Sequence, residues 1–352
     1  MVLKVRGVVL PEREQRTFWI DGGRLWTEPV PGAGSDAELV VDGGWLLPGL
    51  VDAHTHPGAE GVKDPFSDET LRRHLTDHRD AGVLLVRTPG SAARIPAWVD
   101  EDPKLPRVRS AGRWLATPGR FFPGFGRDVS EAGLVDAAVE EARASSGWCK
   151  VIADWKYDAP ALPLETLTAV VEAVHAVGGR VAAHCQTADG CRNAVLAGVD
   201  SLEHGMHLDS GLVDRMAAQG TALVPTLSVF GAGAERRRAA ERSGARDWWL
   251  AGWEGMLPSV RAAYEAGVTV LAGTDSFPCG TVASEVGWLV RAGLPAEEAL
   301  GAASWSARSW LGLPGLADGA PADLVAYDTD PTRDASALAR PSRIILRGRV
   351  VA

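Results

Sequence analysis

Cysteine and lysine are the scarce residues of this chain. Four cysteines in 352 residues, with no C-x-x-C pair, indicate neither a disulfide scaffold nor a structural zinc finger and fit a reducing cytoplasm. No apolar run approaches the ~20 residues that cross a bilayer. Arg6 interrupts the short apolar run at the start, so no signal peptide is predicted. A basic excess is also absent. The formal net charge is −9, which argues against nucleic acid or an anionic membrane as partner and leaves a small-molecule substrate as the expectation. There is no G-x-S-x-G elbow, no phosphate-cradling G-x-x-x-x-G-K loop, and no G-x-G-x-x-G after a strand; the run Gly124-Phe125-Gly126-Arg127 does not meet that pattern. The composition that remains, 46% hydrophobic and 23% charged, belongs to a globular protein and excludes a disordered chain, a coiled coil or a fibre.

The length predicts about two domains, or one large barrel with an appendage. Residues 2–9, 17–20 and 37–47 are short apolar or alternating runs split by Asp-Gly-Gly turns, and residues 323–327 and 343–351 read alike. Both ends are therefore expected to join in one small β-sandwich domain, residues 1–47 and 318–352. Between them, residues 48–317 alternate short apolar strands with helical stretches. The eight strand candidates are 50–54, 82–87, 107–111, 149–153, 180–184, 201–203, 222–225 and 268–272. Eight such units in roughly 270 residues predict an α/β fold of the (β/α)8 TIM-like barrel type. The charge run 235–246 reads as a solvated helix face.

Chemistry in such a barrel belongs at the C-terminal ends of the strands. The first strand ends in His54-Thr55-His56, and alternate side chains share a strand face, so both imidazoles can aim into the barrel mouth. Lys150, one of only five lysines, sits in the apolar fourth strand. A buried ammonium is costly unless paired or neutralised. Two readings stand for it: a snorkelling or ion-paired lysine, or a neutral amine that has captured CO2 as a carbamate able to bridge two cations. His184 and His204 end strands five and six, and Asp275 follows strand eight. Imidazole nitrogens with carboxylate and carbamate oxygens suit zinc or a similar divalent ion. Four imidazoles, one carboxylate and one carbamate can hold two ions with a water between them, its pKa lowered to about 7, and Asp275 can take that water's proton. His74 and His78 share a helix face without the glutamate of a zinc-protease motif and are expected at the surface. His175 reads as structural. His207, close after His204, is a candidate substrate contact. Cys149 and Cys185 alternate with the proposed ligands and are expected to point into the core.

The segments PGLVDAHTH (48–56), AAHC (182–185), LEHG (202–205), VPTLS (224–228) and AGTDS (272–276), with Lys150 and the tail at 315–331, resemble the amidohydrolase superfamily over nearly the whole chain. Within it the chain is similar to the imidazolonepropionase-related, metal-dependent dipeptidase and carboxypeptidase group. That resemblance implies a carboxylated Lys150 bridging two zinc ions, with His54, His56 and Asp275 on the more buried ion and His184 and His204 on the more exposed one. The segments after strands six and seven look shorter than in longer relatives, so no lid residues are carried over.

Substrate recognition is expected from the βα loops. One spans 117–128 with Arg120 and Arg127, and the other 154–160 with Trp155 and Tyr157; His207, Tyr157 and Arg120 are the candidate contacts, an arginine suiting a substrate carboxylate. The leading expectation is a cytoplasmic hydrolase that uses a metal-bridging hydroxide to cleave an amide (dipeptide, N-acyl amino acid or cyclic amide) or lactone bond. The alternative is a mononuclear deaminase or imidazolonepropionase-like hydrolase, with His54, His56, His184 and Asp275 on one ion, Lys150 unmodified and His204 as acid–base group. A non-catalytic scaffold that has kept the barrel is the third reading. Homo-oligomerisation is compatible with the sequence.

Overall fold

The computed structural model describes residues 1–31, 37–61, 64–123 and 125–352, so Lys63 and Gly124 lie outside the described residues. The chain begins with β1 (Leu3–Val9), whose buried and exposed side chains alternate with the period of two that a half-buried strand requires. β2 (Glu14–Asp21) and β3 (Arg24–Trp26) follow, then the eleven-residue β4 (Glu38–Pro48). β4 lies parallel to β1 and, further along, antiparallel to β14 (Leu324–Tyr327). It thereby joins both chain ends into one seven-stranded sheet, which β15 (Arg343–Leu346) and β16 (Arg349–Val350) complete. The sheet curls back on itself: β3 bridges to Pro321, and Leu25 donates to the Ala320 carbonyl. Both halves therefore enclose one apolar core, with Phe18, Ile20 and Leu46 from one half and Leu324 and Ile345 from the other. The expected sandwich is this one continuous, folded sheet.

The middle of the chain repeats strand and helix. In order it carries β5 (Leu50–Asp52), α1 (Asp68–Asp80), β6 (Val83–Thr88), α2 (Trp98–Glu101), β7 (Arg107–Ser110), β8 (Trp114–Ala116), β9 (Arg127–Asp128) and α3 (Leu134–Arg143). Then come β10 (Trp148–Ile152), α4 (Leu164–Ala176), β11 (Arg180–Cys185), α5 (Ala188–Ala197), β12 (Ser201–His204), α6 (Val213–Gln219) and β13 (Ala222–Val224). The helices α7 (Leu227–Ala239), α8 (Gly244–Glu265), α9 (Val282–Arg291), α10 (Ala296–Gly301) and α11 (Trp305–Trp310) close the series. β5, β6 and β7 form one parallel run, and β8, β10, β11, β12 and β13 another. Two sets of hydrogen bonds close the ring. Ser91, after β6, bridges to Arg113 next to β8. On the other side, residues 268–272 bond to Leu223 of β13, while the Ala272 carbonyl accepts from Ala53 just past β5. The (β/α)8 barrel is thus closed, its third strand being the broken pair β7 and β8 and its eighth an irregular segment. No helix of the described residues is long and apolar enough to cross a membrane.

Strand alternation sorts the residues of β10 and β11 as anticipated. Cys149 and Cys185 are fully buried in the core between barrel and helices, while their neighbours Lys150 and His184 line the mouth. Two expectations are overturned. His74 and His78 are not at the surface but 3% and 0% exposed. The α1 face that carries them packs on the loop after β5, where His74 accepts from the Gly58 amide and His78 meets the Thr55 hydroxyl. After the seventh strand, α7 and α8 form a two-helix lid over the mouth. The run 235–246 is therefore the turn of that lid and not one helix face. Arg246 pins it by donating to the Arg237 and Arg238 carbonyls.

One buried carboxylate fixes three loops at the mouth. Glu141 of α3 accepts hydrogen bonds from Arg94, from both backbone and side chain of Arg113, and from Arg127. A Cβ at residue 112 would come within 2.5 Å of this carboxylate, so Gly112 is required beside it. Burial pushes the Glu141 carboxyl up, but the arginines prevail and hold it at about 2, below its usual 4.5. A pKa depressed in the folded state stabilises the fold above pH 4.5, and that stabilisation is lost as pH falls from there towards about 2. Glu141→Gln is expected to lower the unfolding free energy by about 2–4 kcal/mol at pH 7. Urea unfolding should show the gap between the two proteins closing as pH drops through that window; a gap independent of pH would assign the loss to packing.

Candidate metal centre

Four imidazoles line up ring against ring at the C-terminal rim of the barrel. Ring centroids lie 5.0 Å apart for His56 and His54, 4.8 Å for His54 and His204, and 4.7 Å for His204 and His184. Asp275 closes the group, its Oδ1 3.2 Å from His56 Nε2 and 3.7 Å from His54 Nε2. One ligand atom each from His54, His204 and Asp275 falls within 4.8 Å of the others. Lys150, 2% exposed, lines the same cavity. The six residues singled out in the sequence, spread over more than two hundred positions, are thus gathered at one rim.

The protons of this cluster can be placed from its outer partners. Glu203 holds His54 Nδ1 at 2.6 Å, and the Gly90 carbonyl holds His56 Nδ1 at 2.7 Å. A carboxylate and a carbonyl only accept, so both Nδ1 atoms carry the hydrogen and both Nε2 atoms present lone pairs. Those two Nε2 atoms face each other at 3.1 Å, with Asp275 Oδ1 beside them. In the neutral tautomers that these contacts set, three acceptors converge. Burial holds His54, His184 and His204 well below the usual imidazole range, so a second proton on any of them is disfavoured. His184 Nε2 is buried without a hydrogen-bond partner among the described residues, 3.9 Å from Asp154. Neutral imidazoles with a carboxylate at this spacing fit a divalent cation such as zinc.

The shell behind the cluster is built from charged groups that the sequence reading passed over. Glu203 is fully buried, and Arg87, 1% exposed, donates to it from both terminal nitrogens at 3.1 Å. Burial pushes the Glu203 carboxyl up, but Arg87 and then Lys150 draw it below the ordinary carboxylate value, so it stays an acceptor for His54. Asp52 ties the first strand to the eighth. It accepts from the His54 amide and from both the amide and hydroxyl of Thr274, while the Asp275 amide donates to the His54 carbonyl. Glu285 of α9 caps α7 by accepting from the Leu227 and Ser228 amides. That fixes Thr226, whose hydroxyl meets His204 Nδ1 at 2.8 Å. His204, Thr226 and Asp275 all have φ between 47° and 70°, a strained left-handed backbone for residues other than glycine. The signal for these supports was present in the sequence, as charged or hydroxyl residues inside apolar strands. Without a partner in view it did not say which ligand each one serves.

Burial lowers the Lys150 amine to about 8, so roughly a tenth of it is neutral at pH 7. Of the proposed substrate contacts, Tyr157 lines the cavity and is 46% exposed. Arg120 instead donates to the Pro160 carbonyl at 2.8 Å, and Arg127 is held by Glu140 and Glu141. His207 is stacked behind the cavity residue Trp248, rings 4.6 Å apart. His175 pairs with Asp200, as a structural histidine should. The lid contributes groups the sequence did not flag, among them Trp249 with the Arg237 guanidinium 4.0 Å over its ring. The whole cavity measures about 840 Å³, large enough for a substrate well beyond two small residues.

A model of the amidohydrolase family matches residues 45–351. The chain is 42% identical over 361 residues to an uncharacterized protein of Mycobacterium tuberculosis, covering 99% of this chain and 95% of that one. It is 31% identical over 193 residues to an ochratoxinase of Aspergillus niger, a match covering 51% of this chain and 39% of that protein. Among solved structures it superposes on a Xaa-Pro dipeptidase with bound methionine at a TM-score of 0.83 and 23% identity, covering 99% of both chains. The A. niger ochratoxinase structure gives 0.83 at 20% identity, covering 99% of this chain and 95% of that one. At these identities the superpositions establish the fold.

Glu203→Gln is expected to weaken zinc binding about 10-fold to 100-fold. Competition with a chromophoric chelator would measure it, with circular dichroism as the check on folding. An unchanged affinity would mean that packing alone orients His54.

Proposed function

The chain belongs to the amidohydrolase family, and on that footing we propose that it is a metal-dependent hydrolase of an amide C–N bond. The observation that carries this reading is the convergence of His54 Nε2, His56 Nε2 and Asp275 Oδ1 at the barrel mouth. In this reading His54, His56 and Asp275 hold one divalent cation and His184 and His204 a second. Lys150, its neutral amine having added to CO2 with release of a proton, would offer a carbamate oxygen to each. When bound, such ions polarise the scissile carbonyl and bring a water's pKa to about 7.

The chain's own groups do the rest. Asp275 turns Oδ1 to the imidazoles and has a second carboxylate oxygen for the proton of the attacking water, which it returns to the leaving nitrogen. Glu203 and Gly90 keep His54 and His56 in the one tautomer that leaves Nε2 free. The lid limits access of bulk water, and Tyr157 contributes a phenol at its edge. A substrate carboxylate, if one is bound, has candidate partners in Arg237 and Lys156, which both line the cavity. The Arg237 guanidinium lies over the Trp249 ring, whereas Arg120 is already engaged by a backbone carbonyl. The alternative is a mononuclear deaminase or imidazolonepropionase-like hydrolase in which Lys150 stays an amine.

Chelation should abolish hydrolysis across a panel of N-acyl amino acids, dipeptides and lactones, and zinc should restore it with about two ions per chain. Saturation at one ion would favour the mononuclear alternative. Lys150→Ala and Asp275→Asn should each lower kcat by about 10²-fold to 10⁴-fold while the fold persists. Unchanged turnover in both would remove the assignment.

A further inference from the structure

One wall of the cavity is made almost wholly of aromatic rings. Trp114 packs against Phe125 at 4.5 Å and Phe121 at 5.0 Å; Phe121 meets Trp155 at 4.9 Å, and Trp155 meets Phe122 at 4.6 Å. These are tilted or edge-to-face contacts, the arrangement that favours ring quadrupoles. The wall touches the reaction centre on two sides. Trp114 lies 4.8 Å from the His56 ring, and Trp155 and Phe121 lie 6.2 and 6.4 Å from that of His184.

Core packing does not account for it. Trp114, Ile152, Phe121 and Phe125 form an apolar cluster of their own, separate from the main core. Phe121, Phe122, Phe125 and Trp155 are all only half-buried, and all line the cavity. Leaving apolar surface in water costs about 25 cal/mol per Å², a cost relieved when an apolar ligand covers it. The wall is also preformed. Arg127 anchors one end of its loop to Glu140 and Glu141, and Arg120 ties the other to the Pro160 carbonyl. Among the described residues, Arg237 is the guanidinium of the cavity lining without an ion-pair partner, and it belongs to a different flank, reached from His204 through Phe230 and Trp249.

We infer that this wall is an acyl subsite, and that the substrate is an amide whose acyl half is a planar aromatic or similarly bulky apolar group. The inference rests on the amide-hydrolase reading above and adds what that reading lacks, the side chain that the cavity selects. A small acyl group such as acetyl cannot span from Trp114 to Trp155 and leaves the rings wet.

The test is a matched pair, an N-benzoyl and an N-acetyl derivative of one amino acid, on the zinc-loaded enzyme. The wild type should favour the benzoyl compound at least ~10-fold in kcat/KM, mainly through KM. Phe121→Leu, which keeps apolar volume and removes the ring, should bring the ratio to within about threefold, as should Trp155→Leu. Calorimetric titration of benzamide into the metal-free protein reads the subsite without turnover. It should show saturable binding that Phe121→Leu weakens at least ~5-fold. Cleavage of both compounds with equal efficiency, or benzamide binding that neither substitution alters, would overturn the subsite and leave the hydrolase reading intact. Benzamide binding as expected with no amide cleaved would do the reverse.

Discussion

The molecule is organised around a set of lone pairs aimed at one another. His54 and His56 give their Nδ1 hydrogens away, to Glu203 and to the Gly90 carbonyl, and keep their Nε2 lone pairs for the barrel mouth beside Asp275. Such an array repels itself unless something positive sits in it, and the surrounding protein makes protonation of the buried imidazoles unfavourable. Everything that holds the strand ends in register works against that repulsion.

The register is held by buried polar and ionisable groups, not by apolar packing alone. Asp52 straps the ends of the first and eighth strands together. Arg87 spans the barrel interior to Glu203 and Ser201 while its guanidinium packs 4.4 Å over the Trp148 ring. Glu285 pins the start of α7 and through Thr226 the His204 ring. A buried ion pair often contributes little net stability, because desolvation offsets attraction. Here the charges lie directly behind the candidate ligands, and the backbone at His204, Thr226 and Asp275 is strained. Both features fit a site kept for chemistry at some expense in stability.

Around this centre the loops divide the labour. The aromatic wall is anchored by arginines that looked like substrate contacts in the sequence. Arg120 and Arg127 instead satisfy a carbonyl and a pair of glutamates, and so present the phenylalanines between them to the cavity. The two-helix lid supplies the opposite chemistry, with Arg237 laid on Trp249.

The sequence by itself determined the barrel and which side chains gather at its mouth. Strand periodicity places every second side chain on one face, so His54 with His56, Lys150 against Cys149 and His184 against Cys185 could be sorted before any coordinates were known. That both chain ends carry β-strands was legible for the same reason. What only the tertiary structure decided were contacts between residues far apart in the chain: Glu203 with His54, Asp52 with Thr274, the burial of His74 and His78, and the engagement of Arg120. A side chain's local pattern states which face it lies on. Whether its charge is answered by a ligand, a backbone carbonyl or another buried ion depends on partners that closing the barrel brings within hydrogen-bond range.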